Sequence, residues 1–249
     1  MTGRPTCFSA GRRQANEKGG QEMKTGVVGD RRGRRTGLSV VLPVVLVLVA
    51  AGCSMPGKAF VPSESHVLEY PSPVFEKTDV LDAALKLERF SAARAFSGPD
   101  MVIREKPRLQ SAYTGHRWRV SPEDMVTDLF LRDLRDSGIF RAVFSYRDRS
   151  AAWFVLEGGI GEFCERREDG RAQAVLHATL TLLDLRKSDP TKRVLFQKEY
   201  RFSSPMAEGN PDDLARAMSL AMGDFTREAI ADVRRAVRDA VAPGNPSGS

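Results

Sequence analysis

Three cysteines and three histidines are the side chains of this 249-residue chain suited to nucleophilic, metal-ligating or neutral-pH acid–base chemistry. His66, His116 and His177 each stand alone in sequence. There is no HExxH pair, no GxSxG elbow, no P-loop and no GxGxxG. Gly158-Gly159-Ile160-Gly161 is glycine-rich, but neither a helix nor a lysine follows at a phosphate-cradling spacing, so it reads as a strand bent at Gly158-Gly159. Glu165, Glu168 and Asp169 sit beside Arg166 and Arg167 and read as a solvated turn, not a catalytic carboxylate pair. Cys164 follows Phe163 in a strand-like stretch and reads as a packed thiol. With no CxxC and no Cys/His cluster, no metal, no cofactor and no catalytic residue is expected. Cys53 differs, because of what stands in front of it.

Arg31, Arg32, Arg34 and Arg35 lead into the apolar run from Leu38 to Val49, which ends in Ala50-Ala51-Gly52-Cys53. A basic region, an apolar core of roughly 12 to 14 residues and a small-residue cleavage site are the parts of a secretory signal. A membrane-spanning helix needs about 20 apolar residues, so the run is too short to be a retained anchor. With cysteine next after the small residues, the pattern resembles the lipobox of bacterial lipoproteins. That resemblance implies a diacylglycerol on the Cys53 thiol and a further acyl chain, such as palmitate, on the amine freed by cleavage. Ser54 follows, where an aspartate commonly retains such proteins in the inner membrane. The expected location is therefore the outer membrane of a Gram-negative bacterium, facing the periplasm.

The signal also disposes of the charge. Residues 1–52 hold nine Lys or Arg and three Asp or Glu, which accounts for the whole net charge of +6. The chain after the signal is neutral, so the basic pI points to no nucleic-acid partner. Residues 1–52 read as signal peptide, with either Met1 or Met23 as the start, since Met23-Lys24 opens a signal of ordinary length. Residues 53–79 carry Pro56, Gly57, Pro62, Pro71 and Pro73 and read as a lipidated tether. Residues 80–242 read as one folded domain, and 243–249 as a disordered tail.

Within that domain, period-two alternation predicts strands over 81–90, 101–104, 108–113, 140–146, 153–164, 172–185 and 194–202. Residues 151–202 read as a three-strand antiparallel meander with one polar face, and Val194, Phe196, Tyr200 and Phe202 point inward. Ser121 as N-cap and Pro122 at the first position open a helix whose stripe is Met125, Val126, Leu129, Phe130 and Leu134, with Arg132 outward. Gly138 suits the left-handed residue that stops it. Asn210-Pro211-Asp212-Asp213 opens a second, long helix that ends before Pro243. Its stripe runs from Leu214 through Phe225 to Val233, Val237 and Val241. The expectation is an α+β fold: a small, mostly antiparallel sheet with two helices packed on one face, after a lipoprotein signal and short tether.

Five segments carry a resemblance to a known family. They are Leu85-Lys86-Leu87-Glu88-Arg89-Phe90, Met101-Val102-Ile103-Arg104, Tyr113 to Trp118 four residues before Pro122, Leu134 to Phe144 with its Ser137-Gly138-Ile139-Phe140 stop, and Arg201-Phe202 leading to the last helix. In this layout, over most of residues 80–235, the chain resembles the ABC-type transport auxiliary lipoproteins, accessory subunits of MCE-type and paraquat-inducible-type lipid transport systems. The resemblance implies an α+β domain tethered in the periplasm with no cofactor and no catalytic residues. It implies an MCE-domain protein of an ABC transporter as partner. Trp118 is expected to be a core aromatic at the strand-to-helix junction. Docking is expected at the far end of the long helix (Val233, Val237, Val241), or else at an exposed sheet edge. Assembly with copies of itself around the partner is a further expectation. The alternative to lipid transport is an envelope-assembly lipoprotein that scaffolds or activates a peptidoglycan or outer-membrane machine; a periplasmic hydrolase ranks below both.

Overall fold

The computed structural model describes residues 63–76 and 79–242. The signal, the Met1 and Met23 starts, Cys53, the first part of the tether and the tail at 243–249 lie outside the described residues. Nine strands and three helices follow in the order β1 (Glu64–His66), β2 (Leu81–Leu87), β3 (Ser91–Ala92), β4 (Asp100–Lys106), β5 (Leu109–Trp118), α1 (Pro122–Asp136), β6 (Phe140–Ser145), β7 (Phe154–Glu168), β8 (Arg171–Asp184), α2 (Pro190–Arg193), β9 (Val194–Met206) and α3 (Pro211–Val241).

The α+β class holds, but the sheet is neither small nor mostly antiparallel. All nine strands join one mixed sheet, and the helices among the described residues number three, α2 being a single turn capped by Asp189. The antiparallel hairpins β7–β8–β9 form one half. Along the other edge of β7, three strands bind in succession and in parallel: β2 at Phe154–Leu156, β3 at Gly159–Ile160 and β4 at Glu165–Arg166. Beyond them β6 runs parallel to β2, β5 antiparallel to β4, and β1 parallel to β5. Alternation along a strand reports which face is buried, and parallel partners far apart in sequence leave no such local mark.

β7 carries the geometry of the whole. Its turn into β8 has positive φ at Asp169 (51°) and Gly170 (73°), the two-residue form that matches strand twist. The register shifts at Gly161, where the ladder passes from Ile160↔Ala178 to Glu162↔His177. The irregularity is therefore a bulge at Gly161, not a bend at Gly158-Gly159, which pair regularly with Leu180 and Thr179. Gly158 is glycine for another reason: a Cβ there would stand 2.3 Å from the Phe90 ring. β7 also runs on to Glu168, so Glu165, expected in a solvated turn, is fully buried.

The core lies between the sheet and the two long helices. Phe225 of α3 meets Phe130 of α1 at 5.5 Å between ring centroids and Tyr200 of β9 at 5.5 Å, with Phe90 at 6.5 Å. Both helices therefore pack on one face. Pro122 opens α1, and Gly138 takes φ 62° just past its end. Ser121 does not cap through its side chain, which bonds the Asp124 carboxylate instead. Arg132, expected outward, lies half-buried over the Tyr70 ring at 4.6 Å and pairs with buried Asp133 at 2.8 Å. Val194, expected inward, is 45% exposed.

Residues 64–72, within the expected tether, pack on the domain. β1 extends the sheet beside β5, Leu68 is buried, and the Tyr70 hydroxyl donates to Asp133 at 2.6 Å. Burial and the Asp133 charge push the Tyr70 hydroxyl far above its ordinary pKa. Prolines exclude a helix here, but they do not stop the side chains between them from packing.

Candidate functional site

The far end of α3 is not an apolar overhang. The helix has 31 residues, about 46 Å at 1.5 Å each. β9 has 13 residues, about 44 Å at 3.4 Å each. The helix returns along this strand: Lys198 and Tyr200 reach Asp232 at 2.6 and 3.0 Å, and Arg186 reaches the Ala240 carbonyl at 3.3 Å. Strand and helix match in length, so Val233 and Val237 are fully buried and offer no surface to a partner. Of the three expected docking residues, only Val241 is exposed, at 37%.

What lies open beside it is the outer edge of β9. Among the described residues β9 pairs only with β8, and its backbone groups on the other side are unpaired by any strand. A groove between this edge and α3 is lined by Leu195, Phe196, Ala236 and Ala240, with Lys198, Asp232, Arg235 and Asp239 around it. Val194 and Val241 are exposed at the same end of the strand and helix. An apolar floor, a charged rim and an unpaired strand edge together suit docking of another polypeptide.

The polar face of the sheet is held by one carboxylate. Glu162 of β7 accepts from Arg104 of β4 at 2.7 Å, Arg166 at 2.8 Å and Arg201 of β9 at 2.6 Å. Burial alone would raise the pKa of Glu162, but the hydrogen bonds from Arg201 and Arg104 and the surrounding positive charge win and hold it below the usual range. Cys164, two residues on, is a packed thiol pushed up to about 11 by burial. On the core side of the same strand, buried Glu165 accepts from Tyr113 and Arg167, and the Tyr113 hydroxyl also lies 2.8 Å from the Gly209 carbonyl. Desolvation and the Glu165 charge raise the Tyr113 hydroxyl well above its ordinary range. Trp118 is buried edge-on to Phe163 at 5.4 Å, a core aromatic.

The fold brings together two of the histidines that sequence kept apart. His66 Nε2 lies 3.1 Å from His116 Nδ1, with Glu64 and Asp212 alongside. His177 stays on the polar face, 3.5 Å from Glu199. No hydroxyl or thiol hydrogen-bonds a histidine among the described residues, and no helix among them is long and apolar enough to cross a membrane.

The family model of the ABC-type transport auxiliary lipoprotein component matches residues 67–230, well over half of the chain. The chain belongs to that family. Its fold is similar to that of a Xanthomonas campestris protein of the DUF330 family, at 19% identity and a TM-score of 0.59, covering 72% of this chain and 95% of that one. It is also similar to an uncharacterised protein at 8% identity and a TM-score of 0.51, covering 66% of this chain and 99% of that one. At these identities the likeness is one of fold alone. No curated protein matches the chain. As an ABC transport auxiliary lipoprotein, this chain is an accessory component.

Proposed function

We propose that this auxiliary lipoprotein is a non-enzymatic, outer-membrane-anchored subunit of an MCE-type ABC system that moves lipids or related hydrophobic compounds between the inner and outer membranes. The family match over residues 67–230 carries the reading. The lipobox-like Ala50-Ala51-Gly52-Cys53, followed by Ser54, supports the anchor and its membrane. Two or more acyl chains, at about 0.8 kcal/mol per buried methylene, exceed the marginal hold of a single chain and make attachment lasting. Only eleven residue steps separate Cys53 from Glu64 at the start of β1. At 3.3–3.6 Å each they span at most about 36–40 Å. The domain works against its own membrane, and its task is to dock.

The partner is the periplasmic part of an MCE-domain subunit, bound along the β9 edge between Val194 and Val241. Detergent extraction of the anchored protein, capture and identification of co-purifying proteins and lipids test this. The wild type should recover an MCE-domain subunit. Val194→Asp with Val241→Asp, both at exposed positions, should lose it while the domain stays folded. Cys53→Ala should accumulate as unprocessed precursor without acyl label. Capture of a peptidoglycan or outer-membrane assembly machine in place of an MCE subunit would overturn the transport reading.

A further inference from the structure

β1 and β5 pair in parallel with Glu64 opposite His116 and His66 opposite Trp118. Glu64 and His66 are two apart on one strand, so both side chains leave on the same face. His66 is almost buried, at 9% exposure of its side chain, while Glu64 and Asp212 remain open to solvent at 73% and 92%. Glu64, His66 and His116 each offer a ligand atom, and these atoms lie within 4.8 Å of one another. Two of the three separations are close to those of ligands about one centre. His66 Nε2 to His116 Nδ1 is 3.1 Å, and His116 Nδ1 to Glu64 Oε2 is 3.5 Å. A tetrahedral ion with bonds of about 2.0–2.1 Å holds its ligands roughly 3.3–3.4 Å apart.

A fourth residue stands behind the first imidazole. Asp212, in the opening turn of α3, places Oδ1 3.2 Å from His66 Nδ1. The two atoms are in ion-pair contact and not in an aligned hydrogen bond; turned to accept from Nδ1–H, this carboxylate would leave Nε2 as a lone pair facing His116, the arrangement by which metal-ligating histidines are held in one tautomer. Two imidazole nitrogens 3.1 Å apart need a proton or a cation between them. Two nitrogens and one carboxylate select an ion of the zinc class over magnesium or calcium, which prefer oxygen.

We propose that Glu64, His66 and His116 bind one divalent transition-metal ion, with water in the fourth position and Asp212 positioning His66 from behind. The ion would join β1, the edge of β5 and, through Asp212, the start of α3. Since β1 is the first described element after Cys53 and has only three residues, the metal clamps the membrane-side lead of the chain onto the domain. This inference stands apart from the transport reading, because it concerns how the domain is held and not what it docks.

The test uses the full lipid-anchored chain in detergent, stripped with a chelator and titrated with zinc against a chromophoric competitor, and in parallel with cobalt(II). One zinc per chain, cobalt absorption of the tetrahedral kind, and slower proteolytic removal of residues 64–72 in zinc are expected. His116→Gln, checked for an unchanged far-UV circular dichroism spectrum, should lose the site. Asp212→Asn should keep the cobalt spectrum but bind about 10–100-fold more weakly. Zinc stoichiometry unaltered by His66→Gln or His116→Gln would overturn the assignment, as would equal binding of magnesium. Absence of saturable binding in the wild type would leave a proton-sharing histidine pair and sink the proposal.

Discussion

Replacing Glu162 with Gln keeps the shape of the side chain and removes the charge on which three guanidinium groups converge. Glu162 is 14% exposed, Arg104 and Arg166 each 22%, and Arg201 50%. A pair at the surface is worth at most about 1 kcal/mol, whereas breaking a buried one costs about 3–5 kcal/mol. The exposed Arg201 contact counts near the low end. Arg104 and Arg166 count for more, because both ends of each pair are largely buried. Glutamine would leave these cations facing one another and an amide donor turned toward one of them. The expected loss is about 2–4 kcal/mol. With a urea slope of about 2 kcal/mol/M for a domain of this size, the midpoint should fall by roughly 1–2 M. Urea unfolding of the chain from residue 54 onward, read by circular dichroism at several pH values, measures it. The native pKa of Glu162 lies below its unfolded value. The stabilisation is therefore present above about pH 4.5 and disappears as pH falls through the lower native pKa, so the gap between wild type and variant should close in acid. A gap under about 0.5 kcal/mol at pH 7, or one that persists unchanged into acid, would refute the argument. Asp82→Asn is the control, since the Arg141–Asp82 pair is 71% and 83% exposed and its loss should hardly register.

On α1, thermal melts should rank Phe130→Ala first, at about 3–5 kcal/mol, with half-buried Leu129→Ala smaller. Arg132→Ala should cost more than about 1 kcal/mol because buried Asp133 loses its cation; a loss within about 0.5 kcal/mol would mean solvent replaces it. Gly158→Ala drives a Cβ into the Phe90 ring and should cost about 1–3 kcal/mol in the same melts, and a neutral result would show that the ring has room to move. Cys164, buried and shifted upward, should resist iodoacetamide at pH 8 in the native protein and react promptly in urea; fast native labelling would place the thiol at the surface.

Much of the fold could be read from local pattern. Strands stand near where alternation put them between Leu81 and Phe202, although Val194 faces out. Asn210 caps α3 by accepting from the Asp213 amide, and Gly138 ends α1 in the left-handed region. Non-local relations could not be read in this way. Glu165 looked solvated because it stands among charges, and it is buried because the bulge at Gly161 sets which residues of β7 face the core. Val233 and Val237 looked like surplus stripe, and whether they were covered depended on the length of β9, which runs on past Phe202 to Met206. His66 and His116 are 50 positions apart and sit on strands whose parallel register no periodicity announces. Tyr70 was hidden between prolines that suggested a linker.

The way β2, β3 and β4 share one edge of β7 sets an order of events during synthesis. These three segments leave the ribosome before residues 154–168, the strand that they bind. Before it appears β4 can close on β5 and β2 can meet β6, but the buried residues Leu85, Leu87, Met101 and Ile103 still lack the strand that unites the two pairs. The hairpins β4–β5 and β7–β8–β9 can close locally, while the parallel pairings that join them need loop closures over some fifty or more residues. The later half of the chain is thus the template and the earlier half its client. Folding waits for the hairpins, and through that interval the N-terminal strands need protection from premature pairing with other chains.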